Sequence, residues 1–156
     1  MQLIQLLGVI TATLGALNSS ESHTAPATAL PNPCGLLTSA QISSVVGSTF
    51  GASQAISATG CQWAAPKQGD TPGAVVTLVV QDAKVWDRAT APLAGVTRVP
   101  ESGVGDAAMY TIAGSLASLG VRKGAVTVII RMYGVHPLDK AKTMEKALAA
   151  DAIAKL

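Results

Sequence analysis

The sequence predicts an α+β fold: a single domain built on a largely antiparallel sheet of about five strands, packed with a short N-terminal helix, a short middle helix and a C-terminal helix. Three observations carry this. Apolar residues recur at helical spacing near 38–47 and 138–156 and in strand-like runs between. The elements follow the order α, β, β, α, a run of β, then α, which is not the βα alternation of a parallel sheet. The two cysteines, Cys34 and Cys61, fall at the entrance of the first helix and in an early strand.

The first helix has a marked start. Thr38 with Gln41 forms a capping box, Leu37 and Ile42 stand at staple positions, and Gly47 is placed to end the helix. From Ser48 to Gly60 the chain is irregular or a weak strand. Cys61 and Trp63, two apart, share one face of the next strand, and that face is expected to be core. The loop from Ala64 to Gly73 is dense in Pro, Gly and Asp. After it, Ala74 to Gln81 reads as a buried central strand.

Asp82 is placed to cap a short helix carrying Val85 and Trp86. Val96 to Val99 reads as a strand stopped by Pro100, and Glu101 to Asp106 as a glycine-bearing bend leading into another strand. Leu116 to Arg122 and Ala125 to Tyr133 form a hairpin around Lys123-Gly124. Pro137 then opens a helix to Leu156, with Leu138, Ala141, Met144, Leu148, Ala152 and Leu156 on its apolar side. Lys140, Lys142, Lys146 and Asp151 are expected to face water.

Residues 1–29 read as a secretory signal peptide, with cleavage after Ala16 or Ala29, although no basic side chain precedes the apolar run. A buried N-terminal helix and a retained anchor are the alternatives. Residues 17–31 are a flexible tether rich in Ser, Thr, Ala and Pro, and 32–156 form the domain. An oxidising compartment favours pairing of Cys34 with Cys61, the alternative being two separate buried thiols. The expected localisation is therefore secreted or extracytoplasmic, in the cell envelope. Membrane association is expected only through an uncleaved N-terminal segment.

The chain is 49% hydrophobic and 13% charged, which excludes a disordered chain. A formal net charge of +2 with no basic run beyond Arg122-Lys123 gives no footprint for nucleic acid. The two histidines, His23 and His136, cannot build a metal site by themselves. Around Ser118, Leu116 occupies the first glycine position of a nucleophile elbow, so Ser118 reads as a strand residue. Gly103 to Ala108 fits a loose G-x-G-x-x-A, yet Met109-Tyr110-Thr111 follow where a helix should open. No catalytic residue, cofactor or metal is assigned.

The set Asn32 to Thr38, Cys61-Gln62-Trp63, Val104 to Tyr110 and Val121 to Gly124 resembles a family of small actinobacterial secreted proteins and lipoproteins. That family is itself a domain of unknown function. The similarity spans roughly residues 31–156. It implies a cell-envelope α+β domain with a disulfide between its Pro-Cys and Cys-x-Trp motifs, and it supplies no catalytic residues. Leu14-Gly15-Ala16 is followed by Leu17, where lipoproteins of the family carry the acylated cysteine.

The expected function is non-enzymatic binding of a small ligand or an envelope protein. Its surface is sought on the sheet or at the bend, with Glu101, Asp106, Arg122 and Lys123 as candidate contacts. One alternative is a hydrolase-like enzyme using His136, Glu101 and Asp106; another is a structural or inhibitory secreted protein.

Overall fold

The structure, a computed structural model, describes residues 29–156. The expectations for the export segment and for most of the tether lie outside the described residues. The strands are β1 (Gln54–Ser57), β2 (Gly60–Ala64), β3 (Val75–Asp82), β4 (Thr97–Glu101), β5 (Ala107–Ala113), β6 (Leu116–Lys123) and β7 (Val126–Tyr133). They form one antiparallel sheet in the order β1-β2-β3-β7-β6-β5-β4. The helices are α1 (Pro33–Leu36), α2 (Ser39–Val46), α3 (Trp86–Thr90) and α4 (Leu138–Ile153).

The α+β class and the antiparallel sheet agree with the sequence reading, but the sheet has seven strands rather than about five. The departures lie at the two edges. β1 is a short, exposed strand whose small and polar residues carry little β signal. β4 runs through Pro100, the residue expected to end it. An edge strand needs only one of its two hydrogen-bonding sides, so the missing N–H of Pro100 is tolerated opposite Met109. α1 is a further short helix, opened by the Asn32 side chain accepting from the Cys34 amide.

Local chemistry sets the remaining ends. The Thr38 hydroxyl accepts from Gln41 N–H while Gln41 Oε1 accepts from Thr38 N–H, so the capping box is complete, and Gly47 closes α2 in the left-handed region at φ 77°. The β6–β7 turn is Gly124-Ala125, one residue later than expected, because Lys123 pairs with Val126. Gly124, at φ 56°, occupies the first central position, where a positive φ favours glycine.

One face of the sheet carries the core. Cys61, Leu78, Ile130, Leu119 and Tyr110 lie in one cross-strand row, all 1% exposed or less. α1, α2 and α4 cover this face. Cys34 and Cys61 are bonded, their Cα atoms 5.2 Å apart, which ties α1 to β2 beside the buried Trp63. Of the expected α4 stripe, Ala141, Leu148 and Ala152 are buried, Leu138 and Met144 are partly buried, and Leu156 is 42% exposed beyond the helix end. Lys142 and Lys146 are half-buried instead of fully solvated: Lys142 lies 4.8 Å from the centroid of the Tyr110 ring, and Lys146 reaches Glu101.

The sequence reading missed Glu145, which is fully buried on the same stripe. Its Oε1 accepts from Met132 N–H at 3.1 Å, just past Arg131, where the β6–β7 register stops. The carboxyl thus supplies an acceptor to an amide that the neighbouring strand leaves behind. Burial pushes its pKa from 4.5 up to about 7, against the opposing pull of that amide and of the positive charges of Arg131 and Lys142. Tyr110 donates to the Lys142 carbonyl at 2.6 Å, and burial raises its phenol further from ionisation.

Two consequences for stability follow. Reducing the disulfide removes a constraint across 27 residues, and the expected loss in denaturant unfolding is roughly 3 kcal/mol; an unchanged midpoint after verified reduction contradicts this. For Glu145 the folded pKa lies above the unfolded one, so between pH 4.5 and about 7 the unfolded chain binds fewer protons. Stability should therefore fall as pH rises through that window, by about 3 kcal/mol in all. Glu145→Gln should unfold with less of this pH dependence and be the more stable protein at pH 8; parallel pH profiles for the two proteins contradict the assignment.

Candidate functional site

The other face of the sheet is built differently. Strand alternation puts Gln54, Gln62, Thr77, Arg131, Ser118, Thr111 and Arg98 in one row running across all seven strands, and every member is polar. The adjacent row holds Val79, Ile129, Gly120, Met109 and Pro100, and the row beyond it holds Gln81, Thr127 and Arg122. Among the described residues no long helix covers this face. What crosses it is the connection from β3 to β4, which must travel from the sheet centre to its far edge past β7, β6 and β5.

That connection is pinned where it leaves the sheet. Asp82 accepts from Lys84 N–H at 2.8 Å, and Ala83 N–H donates to Ala125 O at 2.9 Å. A single 3-10 turn (Ala83–Val85) then leads into α3, which sets Trp86 over the sheet. Its indole lies against Gly120, where a Cβ would stand 3.6 Å from the ring. Arg122 completes the packing, its guanidinium carbon 5.9 Å from the ring centroid.

Between Trp86 and the polar row lies a cleft of ≈ 180 Å³ lined by Trp86, Ala89, Arg98, Thr111, Ser118, Gly120, Thr127, Ile129 and Arg131. It contains two guanidinium groups and no carboxylate. Arg98 donates from Nη1 to Thr111 Oγ1, and Arg131 donates from Nη1 to Tyr133 Oη at 3.3 Å. Neither arginine has an acidic partner among the described residues, where the ion pairs are Lys123–Asp106 and Lys146–Glu101.

Five buried side-chain polar atoms among the described residues have no protein hydrogen-bond partner, and three of them, Arg98 Nε, Arg131 Nε and Thr127 Oγ1, belong to this cleft. The other two, Trp63 Nε1 and Glu145 Oε2, belong to residues of the helix-covered core. Buried polar atoms are normally satisfied, so three orphans around one cleft are a local demand for a partner. Thr127 is 1% exposed and Ser118 6%. Their hydroxyls are fixed parts of the sheet, not mobile surface groups.

The residues singled out from sequence are distributed over several places. Glu101 accepts from Lys146 Nζ at 2.9 Å, and that hydrogen bond, with the Ser102 amide, holds its carboxyl below the usual range. Asp106 accepts from Gly124 N–H at 2.7 Å and lies 3.8 Å from Lys123 Nζ at the hairpin tip. Gly105, at φ 64°, lets the bend approach β6 so closely that a Cβ would sit 2.6 Å from Arg122 O. The bend therefore leads directly into β5, and its glycines serve the backbone. Arg122 is the one member of the set that borders the cleft, through Trp86.

His136 is exposed between β7 and α4, and no hydrogen bond joins it to Glu101 or Asp106. Ser118 lies inside β6, opposite Thr111 and Arg131. No group of three or more His, Cys, Asp or Glu side chains is placed to hold a metal among the described residues. The cleft residues Arg98, Thr111, Thr127 and Arg131 were not singled out from sequence. Their signal is a polar residue set on one face of an otherwise apolar strand, as with Thr127 and Arg131, four apart in β7.

Compared with known protein families and with curated proteins, the chain matches none.

The orphaned hydroxyl gives a direct test. Thr127→Val keeps the shape and removes a buried oxygen with no partner, so the empty protein should gain about 1 kcal/mol in chemical unfolding. A loss of stability of that size would show that the hydroxyl is satisfied in the empty protein.

Proposed function

We propose that this is a non-enzymatic binding domain of the cell envelope, and that its ligand site is the cleft between Trp86 and the polar row of the sheet. The observation that carries the reading is the set of three partnerless polar atoms around one solvent-reaching cleft. A binding site of this kind needs a rigid polar frame and an apolar wall. β4 to β7 supply the frame, and α3 supplies the wall.

The extracytoplasmic setting belongs to the same proposal. An intramolecular disulfide fits an oxidising compartment, and the helices of the described residues include none long and apolar enough to cross a membrane. The resemblance to actinobacterial envelope proteins, carried by the Pro33-Cys34 and Cys61-Gln62-Trp63 motifs, agrees with that setting. The hydrolase-like alternative loses support because Glu101 and Asp106 are held by separate partners and no hydrogen bond joins exposed His136 to either.

The test fills the cleft. Gly120 has no positive φ, and a Cβ there would face the Trp86 ring first, so Gly120→Val is compatible with the strand while pushing into the ring and the cleft. Native protein recovered from producing cells should carry a bound molecule, seen by native mass spectrometry, that folded Gly120→Val lacks. An equal load on both proteins, or no load together with no thermal shift across a panel of envelope metabolites, overturns the assignment.

A further inference from the structure

We infer that the cleft binds a small oxyanion, a carboxylate or phosphate group, held between the guanidinium groups of Arg98 and Arg131. This rests on the reading of the cleft as a ligand site and adds the chemical class of what it holds.

Charge selects the class. Two guanidinium groups line a cleft of ≈ 180 Å³ without a carboxylate, each half-buried, with Nε shielded and unfilled. Two like charges lining one cleft repel each other, and partial burial weakens the screening that water gives. A cationic ligand would add to the repulsion, and a neutral one would leave both charges uncompensated. An oxyanion removes both problems at once, because its oxygens accept from the guanidinium forks in a geometry that lysine does not reproduce.

Position agrees with charge. Arg98 on β4 and Arg131 on β7 belong to one row with two strands between them, so they approach the cleft from opposite sides. Each already spends an Nη1 donor on a neighbouring hydroxyl, of Thr111 or Tyr133, which orients the group and leaves other N–H donors for a ligand. Thr127 adds a buried hydroxyl with no partner. Trp86 keeps water from one side, which strengthens every charged contact beneath it.

Size limits what enters. The cleft is smaller than a site for a drug-sized molecule, so it admits a single acidic group and leaves the remainder of a larger ligand outside. That group can come from a free solute or from a lipid headgroup.

The experiment is titration of the protein with sodium phosphate, sodium succinate, and phosphatidylglycerol vesicles against phosphatidylcholine vesicles. It is done in low-chloride buffer and followed by calorimetry, thermal unfolding and amide NMR shifts. Binding of at least one anionic probe is expected, with amide shifts clustered on the open face of β4 to β7 and a raised Tm. A solute response points to a free anion, and a response confined to phosphatidylglycerol points to a headgroup. Arg98→Gln and Arg131→Gln should each weaken binding about tenfold or more, Arg131→Lys less so.

No binding of any anionic probe, shifts scattered away from the open face, or equal Tm gains with sodium chloride at matched ionic strength would overturn the inference. So would unchanged affinity in both folded glutamine variants. If the variants do not fold, the location of the NMR shifts in the unaltered protein still decides. A neutral molecule displaced by Gly120→Val but indifferent to both arginine variants would overturn the oxyanion and leave the cleft as a binding site. A cleft that holds nothing overturns both readings.

Discussion

The pairing of β3 with β7 holds the two halves of the sheet together. It joins Val75–Asp82 to Val126–Tyr133 along eight registered positions and unites two groups of strands that are otherwise separate, β1 to β3 and β4 to β7. Within each group the neighbours are joined by local hairpins. Between them the chain must leave β3 at the centre and begin again at the β4 edge. That route places α3 and Trp86 over the open face. A sheet ordered by simple succession would have no such crossing and no cleft.

The two faces then solve opposite problems. The helix-covered face buries aliphatic rows, and its one buried carboxyl, Glu145, is held largely protonated below neutral pH by burial while it accepts from Met132 N–H. The open face keeps its arginines beside water and leaves their Nε donors without protein acceptors. A carboxyl buried on one face and guanidinium groups at a cleft on the other are both departures from a plain hydrophobic core. Only the second is reachable by a solute.

Local features were legible in the sequence because they depend on neighbours in the chain. The Thr38–Gln41 capping box, the Gly47 stop, the common face of Cys61 and Trp63 and the helix over Val85 and Trp86 all follow from spacing of a few residues. The Cys34–Cys61 bond followed from the expected oxidising compartment and from the family resemblance, not from spacing. The edge strands were less legible: β1 has few β-branched residues, and Pro100 signals an end wherever an edge is not already known.

The cleft was hidden for a different reason. Arg98, Thr111, Ser118, Thr127 and Arg131 become neighbours only through the registers of three successive strand pairs, and no single segment encodes those registers. Glu101 and Asp106 stand out in the sequence as charges in a glycine bend, yet Lys146 and the Gly124 amide account for them. Whether the cleft holds an oxyanion is decided by a crystal structure of the protein purified from the cells that make it, without phosphate or carboxylate buffers. Density for an oxyanion is expected beneath Trp86, within hydrogen-bond distance of Arg98, Arg131 and Thr127. Ordered water alone bridging those three side chains would contradict it.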